Sequence, residues 1–186
     1  MCIATLSEAR GIERCQNLTQ QVRVAHYKHF GTDFPYHYSI GQLQAESNCR
    51  NIISRDGVGS EGVGQITYRV WKGALQKQGI TDVKSTSNNV KAQAYINKVS
   101  YDQAKYKKLW VAYQIFNGGT LVNKELTRAG KDDWALAKAA CRRKMIHFQG
   151  GYSESACTVN YDYSVKVYKY GQLYRSIPDS NSYLYW

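Results

Sequence analysis

The reading of this chain turns on residues 44–71, QAESNCRNIISRDGVGSEGVGQITYRVW. At its left end an amphipathic segment closes on one acid, Glu46. A loop rich in Gly, Ser and Asn follows, and a second helical pattern opens at Gly62-Val63-Gly64-Gln65-Ile66. The pattern is helix, polar loop, helix, with a carboxyl group where the first helix meets the loop. A general acid needs a rigid element beneath it and open space in front, and this placement supplies both. Taken alone, the same Glu reads first as a solvated helix end.

Working upstream, Thr32 or Asp33 offers a cap and Pro35 a first-turn residue for a helix over about Tyr36 to Asn48. Ile40, Leu43 and Ser47 share one face of it, and Gln44 flanks that face. Glu46 then falls at the edge of the buried stripe. A carboxyl group half out of water has a raised pKa and stays protonated long enough to act as an acid. Residues 1–31 read as one helical pattern carried by Leu6, Ile12, Leu18, Val22 and Ala25 and stopped by Gly31. His26 and His29 within it read as a partly exposed helical pair.

Downstream, Ile66, Val70, Trp71 and Ala74 carry a helix from Gln65 to Lys77, ended by Gly79. Ser85, Thr86 or Ser87 caps the next, with Val90, Ala94 and Val99 inward. Leu109, Ala112, Tyr113 and Phe116 form the stripe of a helix over Lys105–Phe116, stopped by Gly118-Gly119. A short helix from Thr120 to Arg128 ends at Gly130. Asp132 or Asp133 caps one running to Phe148, with Ala137, Cys141, Met145 and Phe148 inward and Arg142, Arg143 and Lys144 toward solvent, broken by Gly150-Gly151. The tail from Asn160 is rich in Tyr and reads as a helix packed with amphipathic rings. Pro178 ends its order, and residues 182–186 either fray or pack back.

Glu46-Ser47, the loop, and Gly62-Val63-Gly64-Gln65-Ile66 together resemble the lytic transglycosylase (SLT) domain, a lysozyme-like family that cleaves the glycan strands of peptidoglycan. The resemblance spans roughly Ile40 to Tyr170. It implies a mainly α, lysozyme-like (SLT or goose-type) helical domain with a substrate cleft, occupying residues 1–186 with a family-like core over 32–176. It makes Glu46 the catalytic acid, Ser47 a support for it, and Gln65 the cleft residue of the second motif. Val63 and Gly64 stand where Leu and Met are usual. Phe116-Asn117-Gly118-Gly119 is similar to the third motif, with Phe116 replacing the usual Tyr and losing its hydroxyl, and Asn117 donating to sugar or backbone. Tyr163 followed by Val167 is similar to the last motif, whose Tyr reaches the catalytic Glu; Ser164 stands where Val is usual, and Tyr161 is the alternative register.

In this family the reaction needs no second acid, metal or cofactor, because the substrate's own C6 hydroxyl attacks to leave a 1,6-anhydromuramoyl end. A hydrolytic muramidase would need a second carboxylate. Asp56 is the candidate, ahead of Glu61. The implied partner is bacterial peptidoglycan, with no nucleic acid, no stable membrane insertion and a monomeric state expected.

The 186 residues are enough for a sizeable core, and 43% are hydrophobic with only two prolines. A formal charge of +11 favours a polyanionic partner, which cell wall and nucleic acid both are. A basic nucleic-acid-binding or structural protein is therefore the competing class, but it gives no reason for the three motifs to occur in this order. The acidic residues near the N-terminus do not form an export signal, so access to the wall is expected through a lysis pore into the host periplasm or by delivery inside a virus particle. The five cysteines, Cys2, Cys15, Cys49, Cys141 and Cys157, form no CxxC and no metal-ligand spacing. They read as mainly reduced and packed, with a Cys141–Cys157 or Cys2–Cys15 bridge left open.

Overall fold

A computed structural model of the chain describes residues 6–54, 59–148, 151–175 and 185–186. It is mainly helical, with nine α-helices and one two-stranded sheet among the described residues. Expectations resting on Cys2, Gly150, Pro178, Ser182 and Tyr183 lie outside those residues. No helix among them is long and apolar enough to cross a membrane.

The central element is α3 (His37–Ser47), buried on nearly every side rather than along one stripe: His37 to Gln44 are all buried, as is Ser47. Against it lie α1 (Leu6–Gln16), α2 (Thr19–Phe30) and above all α9 (Ala156–Gln172). Two glycines bring α3 and α9 together. A Cβ on Gly41 would stand 2.7 Å from the Cα of Gly171, and one on Gly171 would stand 2.6 Å from a ring carbon of Tyr38. Neither side chain has room, so the two backbones approach as closely as bare glycine allows. This crossing matters for function because α3 ends at Glu46 and α9 carries Tyr163.

The long α5 (Thr86–Gln103) packs on α2, and α6 (Leu109–Gly118) bridges α5 and α9. Ser85 caps α5 by accepting from the Asn88 amide at 3.1 Å, as its position suggests. The stripe Leu109, Ala112 and Tyr113 is buried in α6, with Phe116 partly so. The short α7 (Leu121–Ala129) ends at Gly130, which adopts the left-handed conformation. It is followed by α8 (Trp134–Ala139), capped by Asp133 accepting from Leu136 N at 2.9 Å.

Several expectations are corrected. The first helical pattern is two helices, α1 and α2, broken at Asn17-Leu18. His26 is fully buried, not part of an exposed pair, and desolvation lowers its pKa to about 4. No side chain caps α3; its N-cap is Tyr36. The helix after the second motif, α4 (Tyr68–Gln76), starts later than expected. Gly62 to Gln65 form a turn held by bridges of Glu61 to Ile53 and to Ile66. Val70 is exposed, and Leu75 takes the inward place.

The clearest miss is the helix expected through Phe148. It stops at Ala139, and Met145–His147 form β1, which pairs antiparallel with β2 (Ser153–Ser155). Met145 is exposed, and Arg143 turns inward instead of fanning out. Its guanidinium grips Glu125 with two bonds of 2.8 and 2.9 Å, the pair being 5% and 2% exposed, and Tyr161 donates to the same carboxylate at 2.8 Å. Cys141 is meanwhile bonded to Cys157. These two distant partners pull the chain off its helical path.

The cysteines are corrected as well. Cys15 bonds Cys49 and Cys141 bonds Cys157, so four of the five are oxidised. The first tether joins α1 to the residues just beyond Glu46. Closing 34 residues, it stabilises the fold by roughly 4 kcal/mol on a loop-entropy basis, and the 16-residue closure by roughly 3 kcal/mol.

Candidate active site

Glu46 sits in the last turn of α3, with Ala45 and Glu46 half-buried beside buried Ser47. It opens onto a recess of about 380 Å³ whose lining includes Glu8 from α1, Gln44, Ser47, Arg50, Ile52, and Lys166 and Tyr170 from α9. Burial raises its pKa to about 7, against the opposing pulls of a hydrogen bond from Tyr163 and the charge of Lys166. A carboxylate at a helix C-terminus also faces the negative end of the helix dipole, which acts in the same direction as burial. Near neutrality the group is therefore divided between acid and base.

The Tyr163 hydroxyl donates to Glu46 Oε1. Burial, with the neighbouring carboxylate second, lifts the phenol well above its usual pKa, so it stays a neutral donor. Tyr161, the alternative register, is fully buried and points to Glu125 instead. Ser164, where Val is usual in the motif, is also buried. It accepts from Trp134 Nε1 at 3.2 Å and from Gln114 at 3.4 Å, so its hydroxyl binds α9 to α6 and α8.

Ser47 ties the end of α3 to the second motif. Its hydroxyl donates to Val63 O at 2.7 Å and accepts from Arg50 N at 3.1 Å. Asn48 and Cys49 both have φ of 56°, turning the chain sharply away just past the acid, and Cys49 is anchored there by Cys15.

The second motif is organised by a residue that the sequence reading passed over, Asn89 of α5. Fully buried, it accepts from Gly64 N at 2.7 Å and donates to Glu61 O and Val83 O, each at 2.8 Å. A Cβ on Gly62 would collide with this amide, and Gly62 has φ of 79°, so glycine is required there twice over. Gln65 turns its amide back onto Ile52 O and Gly62 O at 3.0 and 2.8 Å. It closes the loop and is not among the residues lining the recess. Gly64 is buried beneath it.

The third motif lies apart from the recess. Asn117 is exposed and donates to Asn160 Oδ1 at 3.1 Å, while Phe116 packs partly buried on a cluster containing Ile66 and Ile96. Asp56 lies outside the described residues. The structure thus brings together Glu46, Ser47 and Tyr163, and adds Glu8, Arg50 and Lys166. Only a distant-contact signal would have found Glu8, since α1 reaches the recess by folding back and being stapled at Cys15. Among the described residues no three His, Cys, Asp or Glu side chains stand close enough to hold a metal ion.

No protein-family model, no curated protein and no solved structure matches this chain.

Proposed function

We propose that the protein is a lysozyme-like enzyme that cleaves the β-1,4 bond between N-acetylmuramic acid and N-acetylglucosamine in peptidoglycan by lytic transglycosylation. The observation that carries this reading is the state of Glu46. It is a carboxyl group with its pKa raised to about 7 at a helix end, lining an open recess, with a partly buried tyrosine donating to one oxygen. Protonated Glu46 gives its proton to the glycosidic oxygen as the bond from C1 to that oxygen breaks. The resulting carboxylate then takes the proton of the muramoyl C6 hydroxyl as that oxygen bonds to C1. A group poised near neutrality suits both halves of the exchange, and the acid is restored at the end. Arg50 and Lys166 at the recess and the overall charge of +11 favour an anionic wall polymer.

Glu8 favours a second reading. It lines the same recess as Glu46, which is where a hydrolase would hold its second carboxylate to activate water. The deciding experiment is mass spectrometry of muropeptides released from purified peptidoglycan by the wild type, Glu46→Gln and Glu8→Gln. Transglycosylation predicts 1,6-anhydromuramic ends that vanish with Glu46→Gln and persist with Glu8→Gln. Reducing muramic ends lost with both variants would assign hydrolysis to the pair. No release from any wall type by the wild type would refute both.

A further inference from the structure

A second cavity lies between α2, α5 and the turn that follows α4, and it shares no lining residue with the recess at Glu46. Its volume is about 360 Å³, and its apolar part is made by Val24 and Ala25 of α2, Val90 of α5 and Ile80 of the turn. Ala25, Ile80 and Val90 belong to the buried core, but Val24 beside them is 59% exposed. The fold therefore leaves apolar surface open to water at a concave place. A concave apolar wall with a few polar groups around it is the usual make-up of a small-ligand site.

The charged side chains around this cavity are of one sign. Lys28 borders it from α2 and Lys91 from α5, and no acidic residue is among the described residues that line it. Both lysines are exposed, and among the described residues neither pairs with a carboxylate, whereas Lys98 nearby is held by Asp102 at 2.6 Å. Two ammonium groups without a counter-charge at the edge of apolar surface complement a ligand with a negative head and an apolar body. His29, which also lines the cavity, records their field. Its pKa is lowered, first by burial and then by the charges of Lys28 and Lys98, and its ring meets the edge of Tyr95 at 5.9 Å. An anion bound between the lysines would oppose that lowering.

Size restricts the apolar body. Ligand sites commonly occupy roughly 300–1,000 Å³, so this cavity is at the small end and suits one alkyl chain better than the paired chains of a membrane lipid.

We propose that the cavity between α2 and α5 binds a single-chain amphiphile with a carboxylate head, its chain lying over Val24, Ala25, Ile80 and Val90 and its carboxylate meeting Lys28 and Lys91. The site is independent of the reaction proposed for Glu46. Occupancy covers Val24, balances the two lysines and stabilises the folded state by mass action.

The test is calorimetric titration of the protein at low salt with dodecanoate, kept below its micelle concentration. Acetate supplies the head without the chain, and dodecyltrimethylammonium supplies the chain with the opposite charge. Dodecanoate should bind one molecule per chain and raise the His29 titration followed by NMR, and the other two should do neither. The chain has four histidines, and the His29 signal is the one lost in His29→Gln. The charged groups around His29 are Lys28, Lys91 and the Lys98–Asp102 pair, all of them kept while the ligands are compared.

Lys28→Gln combined with Lys91→Gln should weaken dodecanoate about tenfold. Val24→Glu, which sets a like charge against the head on an exposed helix face, should weaken it at least as much. Thermal unfolding without ligand checks that the variants keep the fold, and the comparison of three ligands on the wild type needs no variant. Absence of binding and of a His29 shift with dodecanoate overturns the proposal, as does equally tight binding of the cation or by the double lysine variant. Lysine-dependent binding to phosphatidylglycerol vesicles, with dodecanoate ignored, would overturn it in favour of a membrane surface.

Discussion

Replacing Glu46 with Gln should make the protein more stable, and only above a defined pH. Burial raises the Glu46 pKa from 4.5 to about 7, so the folded state holds a proton that the unfolded chain has released between those values. Stability then falls as pH rises through that window, because the native state binds more protons than the unfolded one. Above about pH 7 the cost is complete, and at 1.36 kcal/mol per unit it comes to roughly 3 kcal/mol. Gln is neutral at every pH and its amide oxygen can still accept from Tyr163, so the variant escapes this cost. Urea unfolding of both proteins at pH 4 and pH 8 provides the measurement. The variant should be about 3 kcal/mol more stable than the wild type at pH 8 and nearly equal to it at pH 4. His26, whose folded pKa is lowered to about 4, acts in the opposite sense, but it is present in both proteins and cancels in the difference. A stability difference that is the same at both pH values would refute the reasoning, because it would mean that Glu46 ionises in the native state as freely as in the unfolded chain.

Gly41→Ala should cost about 1–3 kcal/mol despite the better helix propensity of alanine, since its methyl group would meet the Gly171 backbone. By prising α9 from α3 it should also cut the proposed wall-cleaving activity; thermal melting and muropeptide release check the two effects. Cys15→Ser with Cys49→Ser should lower stability by roughly 4 kcal/mol in urea titrations, and reducing agent should then change the variant less than the wild type. Arg143→Met leaves Glu125 charged and enclosed and should cost about 3–5 kcal/mol. Adding Glu125→Leu should recover most of that loss, and failure to recover would show that the pair is not acting as a charge pair.

What the sequence made legible is what depends on neighbours a few residues away. The cap at Ser85, the cap at Asp133, the stop at Gly130 and the buried stripe of α6 are local, and each is where the pattern puts it. Glu46 at a half-buried helix end follows from the same kind of reading, since its raised pKa comes mainly from burial. The failures share a cause too. Periodicity sends Arg143 to solvent, yet a carboxylate eighteen residues earlier in the chain draws it inside. It continues α8 past Ala139, yet Cys141 is held by Cys157. It treats His26 as half-exposed, whereas α5 and the Phe34 ring enclose it.

The same distinction separates the parts of the candidate site. The motif resemblance reached Tyr163, because that position is spaced from Val167 on a single helix. It could not reach Asn89, Gln42 or Glu8, whose roles exist only once α1, α3, α5 and α9 are packed. Gln42 shows why such residues escape a hydrophobic pattern. Nothing in the expected α3 singles Gln42 out, because a glutamine adds nothing to an apolar stripe. In the fold it is fully buried, and burying an amide is costly unless it is hydrogen-bonded. The Gln42 oxygen accepts from Gln93 and from Asn97, and although each of the three amides keeps one buried atom unpaired, these two bonds tie α3 to α5 in one register, because a shift along the axis would break both at once. The helices fixed in this way are α3, which ends at Glu46, and α5, which holds the second motif through Asn89. The polar layer therefore ties the helix that ends at Glu46 to the helix that holds the second motif, two elements far apart in sequence.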